Sequence, residues 1–288
     1  MTEQEFLRAY DIKSYEQPSV TSDIVVLSVG ENPNKKEVNI GPLQILLIKR
    51  ASHPFKDTWA LPGGFCRPSE SVYETARREL YEETNIRNTY LSHQNVYSRQ
   101  DRDPRGWIIS NAFLSLIDHN QCSLRADTDA WDAKWFTIES LNSEVTSDTM
   151  YARTLTHTLT LVDPDTDEKL TAVTTESIVY HPNGHDSVFH TISSGFAFDH
   201  AEIITQTLIN YRETIKKDIR PVFSLLPKRF TLGELTEAYR VSLGIDEIST
   251  GNFRRRINEY VIKTDDVSET KGFRPAALYE RNPAMFLY

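Results

Sequence analysis

Glu79, Glu82 and Glu83 are the residues whose type and spacing point most directly to chemistry. They lie in GFCRPSESVYETARRELYEETNI, residues 64 to 86. At about 100° per residue, Val72, Ala76, Glu79 and Glu83 share one helical face, with Leu80 on one flank and Glu82 on the other. A core-facing stripe thus begins apolar and turns acidic. Carboxylates four residues apart repel by roughly 0.2–0.5 kcal/mol, and burying them unpaired costs far more. A cation belongs between them. A hard dication such as Mg2+ or Mn2+, which prefers carboxylate oxygens and keeps positions open for water and phosphate, fits best. The alternative, a solvated charge-rich helix, leaves unexplained why the acids stand on the inward stripe.

The helix that must carry these acids is bounded by its own signals. Ser71 with Glu74 forms a capping box at its start, and Asn85 tolerates the left-handed conformation used after a helix end. Arg78 stands one turn from both Glu74 and Glu82, so its guanidinium can hold Glu82 in place. Before the helix, Pro62-Gly63-Gly64 lets the backbone turn sharply and approach a ligand without a Cβ in the way.

The stretch with Gly64, Glu70, Arg78, Glu79, Leu80, Glu82 and Glu83 resembles the Nudix box, which ends in glycine and an aliphatic residue where this chain has Asn85 and Ile86. The resemblance implies that Glu79 and Glu83 are the principal metal ligands. It further implies that Glu82 is an additional ligand or supporting acid, that the Gly64 carbonyl is another ligand, and that Arg78 and Glu70 give structural support.

The flanking sequence predicts a layered α/β domain. Val20 to Val29 and Leu43 to Ile48 read as strands of a hairpin with a long tip, and Tyr90 to Tyr97 and Trp107 to Ile117 as two more. Lys134-Trp135-Phe136 starts a further short strand. A second helix from Phe198 puts Ile203, Ile204, Leu208 and Tyr211 on the sheet and reads as core without catalytic residues. Between them, residues 151–194 alternate polar and apolar around Asp163-Pro164-Asp165, which predicts an added β-hairpin. His181, His185 and His190 have no metal-site spacing.

A second chemical signal is Asp101-Arg102-Asp103-Pro104-Arg105-Gly106, a rigid charged turn before a strand. Such a turn can present a guanidinium to a diphosphate and a carboxylate to ribose hydroxyls; as a structural element it is a charged hairpin. The phrase resembles Nudix proteins that handle ADP-ribose-like ligands, with Asp103 and Arg105 as the ligand-binding pair. Trp59, Phe65 and Tyr97 are candidates to stack an adenine, with core packing as the alternative for each. The acid that completes the metal site or orients water stays open among Asp101, Asp103, Asp129 and Asp132.

Past residues 216–220 the character changes. Thr231 and Glu234 form another capping box, opening a helix with Leu235, Tyr239 and Leu243 on one face and Gly244 at its end. A turn leads to a second helix from about Thr250, with Phe253, Ile257 and Val261 inward and Arg254, Arg255 and Asn258 outward. The strand-like Ala276 to Tyr279 follows. That order matches a winged helix-turn-helix, in which Arg254, Arg255, Arg256 and Asn258 would meet DNA phosphates or base edges.

Charge divides the same way. The chain carries −9 overall, yet Lys and Arg outnumber Asp and Glu by two from Ala201 to Tyr288, so the acidic excess lies wholly in Met1 to His200. Two cysteines, no membrane-length apolar run and an N-terminus without a basic, apolar leader predict a cytoplasmic protein.

The expected architecture is therefore an α/β/α sandwich with a mixed sheet over residues 1–218, carrying the hairpin insertion, and a winged helix-turn-helix over 219–288. The whole chain resembles Nudix domains fused to a C-terminal winged helix, the NrtR-type regulators and related sugar-use regulators. Two functions follow. The acid set predicts an Mg2+- or Mn2+-dependent pyrophosphatase acting on ADP-ribose or a related nucleoside diphosphate. The tail predicts, alternatively, a regulator that senses such a ligand and binds double-stranded DNA, with little or no hydrolysis. A homodimer is the default for either.

Overall fold

A computed structural model describes residues 1–32, 38–87, 89–121, 133–268 and 275–286; Cys122, Asp129 and Asp132 lie outside them. A short helix α1 (Glu3–Ala9), closed by a Thr2–Glu5 capping box, buries none of its residues. The first sheet is then laid down by β1 (Ser19–Val29), β2 (Leu43–Lys49), β3 (Trp59–Ala60) and β4 (Gly63–Phe65). Helix α2 (Val72–Thr84) follows, then β5 (Tyr90–Tyr97), β6 (Ile108–Leu116), β7 (Ala133–Asp148), β8 (Ala152–Val162), β9 (Lys169–His181) and β10 (Gly184–Ser194).

The strand order is β10-β9-β8-β7-β2-β1-β6-β5, with β3 on β2 and β4 on β1. Only β1 and β6 run parallel among the described pairs, so the sheet is mixed. Strand β1 is covered on both faces, which is why its sequence is almost continuously apolar. Ile24 and Val26 pack with Ala76 and Leu80 of α2. Val25 and Leu27 face the other way, into a core shared with Ile203, Ile204, Leu208 and Tyr211 of helix α3 (His200–Lys217). The α/β/α sandwich is as expected.

Two strand assignments differ from expectation. The strand at Lys134 does not stop after Phe136 but runs through Asp148, and residues 151–194 form three antiparallel strands rather than one hairpin. The Asp163 turn is as read, its carboxylate accepting from the Asp165 N–H and from Thr166 and Lys134. The distal half of β7 and most of β10 are exposed. The distal half of β7 buries neither face, so its backbone pairing with β8 defines it.

A 3-10 turn (Arg220–Leu225) leads into the C-terminal elements: β11 (Phe230–Thr231), α4 (Leu232–Leu243), α5 (Thr250–Ile257), β12 (Val261–Val267) and β13 (Ala277–Arg281). The Thr231–Glu234 capping box forms, and Gly244 adopts the left-handed conformation at φ 67°. The three strands pair in the order β11-β13-β12, giving helix-turn-helix plus wing. Val261, expected on the second helix, instead opens β12. Among the described residues no helix is long and apolar enough to cross a membrane.

Candidate functional site

Helix α2 begins at Ser71, whose side chain accepts from the Glu74 N–H while Glu74 accepts from the Ser71 N–H. It ends at Asn85 in the left-handed region. Glu74 is thus spent on the cap, and Arg78 does not reach it. Arg78 instead forks onto Glu70 at 2.7 and 2.9 Å, donates to Glu79 at 2.6 Å and Glu82 at 3.1 Å, and meets the Phe65 carbonyl at 3.2 Å. One guanidinium therefore ties the loop before α2 to two of the three acids. Its bonds hold the Glu70 carboxyl down at about 2.

Gly63 and Gly64 sit on β4, which pairs with β1 so that Gly64 lies opposite Ser22 and Gly63 opposite Asp23. A Cβ on Gly64 would stand 2.3 Å from Glu79 Oε1. The Gly63 N–H donates to Glu83, whose Oε2 is buried and accepts no hydrogen bond from any described residue. Burial raises the carboxyl of Glu79; burial and then the Glu79 charge push Glu83 well above the usual carboxylate range.

This donor set fits a hard cation: carboxylate oxygens, one of them orphaned and buried, beside a backbone that has no side chain in the way. As they stand, no three Asp, Glu, His or Cys side chains among the described residues form a ready coordination shell, and Glu79 is held by Arg78.

Beside Gly64 a cavity of about 160 Å³ is lined by Asp23, Arg50, Phe65, Arg102, Asp103, Arg105, Phe198 and His200. The Arg105 guanidinium lies 5.2 Å from the ring centres of both Phe65 and Phe198, and that of Arg50 lies 4.8 Å from Phe198. Cations stacked on aromatic faces suit a site for phosphate and a planar base. Asp103 is buried and accepts from the Arg105 backbone N–H, Nε and Nη2. Its carboxylate aims Arg105. A second cavity of about 280 Å³ continues past Arg102 and Phe198 toward Arg99, Asp101, Glu202 and Thr191.

Several of these residues were not singled out from the sequence. Arg102 is buried and grips Asp199 at 2.8 and 2.7 Å, with Asp23 at 3.8 Å. His200 Nδ1 accepts from the Leu61 N–H at 2.8 Å, which leaves its other ring nitrogen 4.0 Å from Asp23. Asp199 and His200 open α3, so the helix read as core alone contributes its first turn to the cleft. A usable signal was present in Asp23, an acid inside an otherwise apolar strand.

Of the three aromatics considered for stacking, Trp59 is core, edge-on to Phe136 at 4.8 Å, and Tyr97 is buried with its hydroxyl on Gln206. Phe65 alone lines the cleft. Asp101 is exposed and paired with Arg99.

At the other end of α3, the arginines of α5 divide. Arg254, Arg255 and Asn258 are exposed. Arg256 is half-buried and engaged within the chain: it donates to the Tyr239 hydroxyl at 2.7 Å and to the carbonyls of Ile215 and Lys216 at 3.0 and 2.7 Å.

The mixed sandwich with this glycine-acid helix defines a Nudix domain, and the elements behind it define a winged helix. A model of the NUDIX domain matches residues 32–158, and one described as the NrtR DNA-binding winged helix domain matches residues 222–280. The ADPR responsive transcriptional repressor NtrR of Acinetobacter baylyi is 28% identical over 280 residues, covering 96% of this chain and 88% of that protein. The ADP-ribose pyrophosphatase of Methanocaldococcus jannaschii is 38% identical over 141 residues, covering 48% of this chain and 75% of that one. Among solved structures, a MutT/nudix family protein from Enterococcus faecalis superposes with a TM-score of 0.65 at 26% identity, covering 98% of this chain and 94% of that one. The chain belongs to the Nudix family and carries an NrtR-type winged helix domain at its C-terminal end.

Proposed function

We propose that this chain is a ligand-responsive DNA-binding regulator. Its Nudix part, residues 1–218, takes up an ADP-ribose-type nucleoside diphosphate, and its winged helix, residues 219–288, binds double-stranded DNA as a homodimer. The observation that carries this reading is the placement of α3. Its first turn supplies Asp199 and His200 to the ligand cleft, while the carbonyls of Ile215 and Lys216 in its last turn hold Arg256 of α5. Arg212, also on α3, donates to the carbonyls of Leu141 and Ser242, and Tyr211 bonds the Ser242 hydroxyl. A ligand that reorders the first turn therefore acts on the element that seats the DNA-facing helix, which is a physical coupling between two sites.

The Acinetobacter baylyi protein, similar over nearly its whole length, bears the name of an ADPR responsive repressor, which supports the ligand class. Arg105 and Arg50 would meet the diphosphate, with Phe65 and Phe198 against a planar ring. Arg254, Arg255 and Asn258 would meet DNA, two copies reading a two-fold site. Such a regulator works in the cytoplasm. The test is fluorescence anisotropy with DNA flanking the chain's own gene, titrated with ADP-ribose. Specific binding that ADP-ribose shifts is expected. Binding no tighter than to random DNA at physiological salt overturns the reading.

The full acid set supports hydrolysis as a second activity. Mg2+ or Mn2+ would be held by Glu79, Glu83 and the Gly64 carbonyl, with Glu82 in reserve, and would supply polarisation of the diphosphate and a more acidic water. Arg78 holds Glu79 and Glu82 in position, and Gly63 orients Glu83 through its N–H. Release of AMP from ADP-ribose, lost in Glu83→Gln, tests it; no turnover across a panel of nucleoside diphosphate sugars and dinucleotides counts against it.

A further inference from the structure

A third cavity, of about 330 Å³, lies where the C-terminal end of α3 meets the wing. Its walls come from both parts of the molecule. Tyr90 starts β5, Thr214 and Asp218 close α3, Phe223 lies in the connecting 3-10 turn, Arg281 ends β13, and Phe286 follows it. The Phe223 and Phe286 rings meet edge to face at 5.2 Å. The lining is thus aromatic on one side and cationic at the rim.

Arg281 is the feature that specifies an occupant. Its Nη2 donates to the carbonyls of Phe223 and Leu226, which clamps the guanidinium in one orientation. Every other arginine lining the three cavities has a carboxylate within ion-pair distance or sits over an aromatic ring: Arg102 on Asp199, Arg105 on Asp103, Arg99 on Asp101, Arg220 on Asp218, Arg50 over Phe198. Arg281 makes no ion pair within 4 Å with any described residue; the carboxylate that acts on it, buried Asp118, does so at longer range. The nearest acid in the lining, Asp218, is already bidentate on Arg220, which holds its carboxyl below the usual range. A clamped guanidinium with donors left over, on the edge of an aromatic pocket, is complementary to a ring that carries an anionic group.

We propose that this junction cavity is a binding site for a small planar anion, an aromatic or heteroaromatic ring bearing one carboxylate or phosphate. The ring lies against Phe286 and Tyr90, above the buried Phe223, and the anion meets Arg281. The volume is at the lower end of the range for small-molecule sites and admits one ring with its substituent, not a dinucleotide. Because Arg281 belongs to the wing and Tyr90 to the Nudix sheet, an occupant would bridge the two parts. The proposal stands apart from the ADP-ribose reading and does not depend on it.

Calorimetric titration of the full chain with phenyl phosphate and with benzoate tests it. Saturable binding of at least one probe is expected, together with about tenfold weaker binding of benzyl alcohol, which keeps the ring and lacks the charge. Arg281→Met should remove the binding of the anionic probes. Since that change also unclamps two carbonyls, Phe286→Ala is the second variant: it removes one wall without touching the clamp and should weaken the probes by about tenfold. Arg105→Ala should leave their affinity unchanged. No saturable binding of either probe overturns the proposal, as does binding that Arg105→Ala abolishes or that survives both Arg281→Met and Phe286→Ala.

Discussion

Arg102 holds Asp199 through two parallel hydrogen bonds of 2.8 and 2.7 Å, and both side chains are buried. The pair joins the charged turn before β6 to the residue that precedes α3, so it fixes the cleft wall at the point where the two Nudix-part cavities meet. Removing one partner leaves the other buried and unpaired, which costs about 3–5 kcal/mol. Arg102→Met should lower unfolding stability by that amount in a urea titration; Asp199→Asn, which keeps an acceptor for Arg102, should lower it less. A loss under about 1 kcal/mol for Arg102→Met would mean the pair is not held as described.

Gly64→Ala separates the site from the fold. The added Cβ meets the end of a flexible side chain, Glu79 Oε1 at 2.3 Å, and Gly64 is not in the left-handed region. The backbone should tolerate the change while Glu79 is displaced. The expected result is a melting temperature close to that of the parent chain with Mn2+ affinity, read by paramagnetic resonance, reduced about 10–100-fold. Unaltered Mn2+ binding would remove Glu79 from the proposed ligand set.

His200 gives the chain a pH dependence of known sign. Burial, its largest influence, lowers the folded-state value below the ordinary 6.5. Below pH 6.5 this imidazole is therefore protonated in the unfolded chain and neutral in the folded one, so its contribution to stability falls as pH drops, while the buried Glu83, raised above the usual range, contributes in the opposite direction. The slope from this group is positive between the folded value and 6.5 and is bounded by about 1.4 kcal/mol per pH unit. Asp103, Asp163 and Asp218, all held below 3.8 by their partners, add losses only in the more acidic range. His200→Asn should flatten the profile just below pH 6.5 in denaturant titrations; an unchanged profile contradicts a buried neutral imidazole.

Adjacent arginines on α5 should behave differently. Arg254→Ala or Arg255→Ala should weaken DNA binding and reduce the slope of log affinity against log salt by about 1 each, with stability unchanged. Arg256→Ala should lower stability, because it frees the Tyr239 hydroxyl and the carbonyls of Ile215 and Lys216. A salt slope that responds to Arg256 as it does to Arg255 would place Arg256 on the DNA face.

What local sequence determined is what local physics controls. Capping at Ser71 and Thr231, termination at Asn85 and Gly244, and the inward acids of α2 all depend on residues within a few positions of one another. Strand β1 was legible because burial on both faces leaves an apolar run. The distal half of β7 was not, since it lacks a buried face, and the division of residues 151–194 into three strands rather than one hairpin rests on long-range pairing. The same division holds at the site. Glu79 and Glu83 announce themselves by spacing, but only the tertiary structure brings Arg102 to Asp199, aims His200 at Asp23 and turns Arg256 away from Arg255. Which way a charged side chain points depends on partners distant in the chain, such as Asp199 for Arg102 and Ile215 for Arg256, and periodicity along one helix carries no record of them.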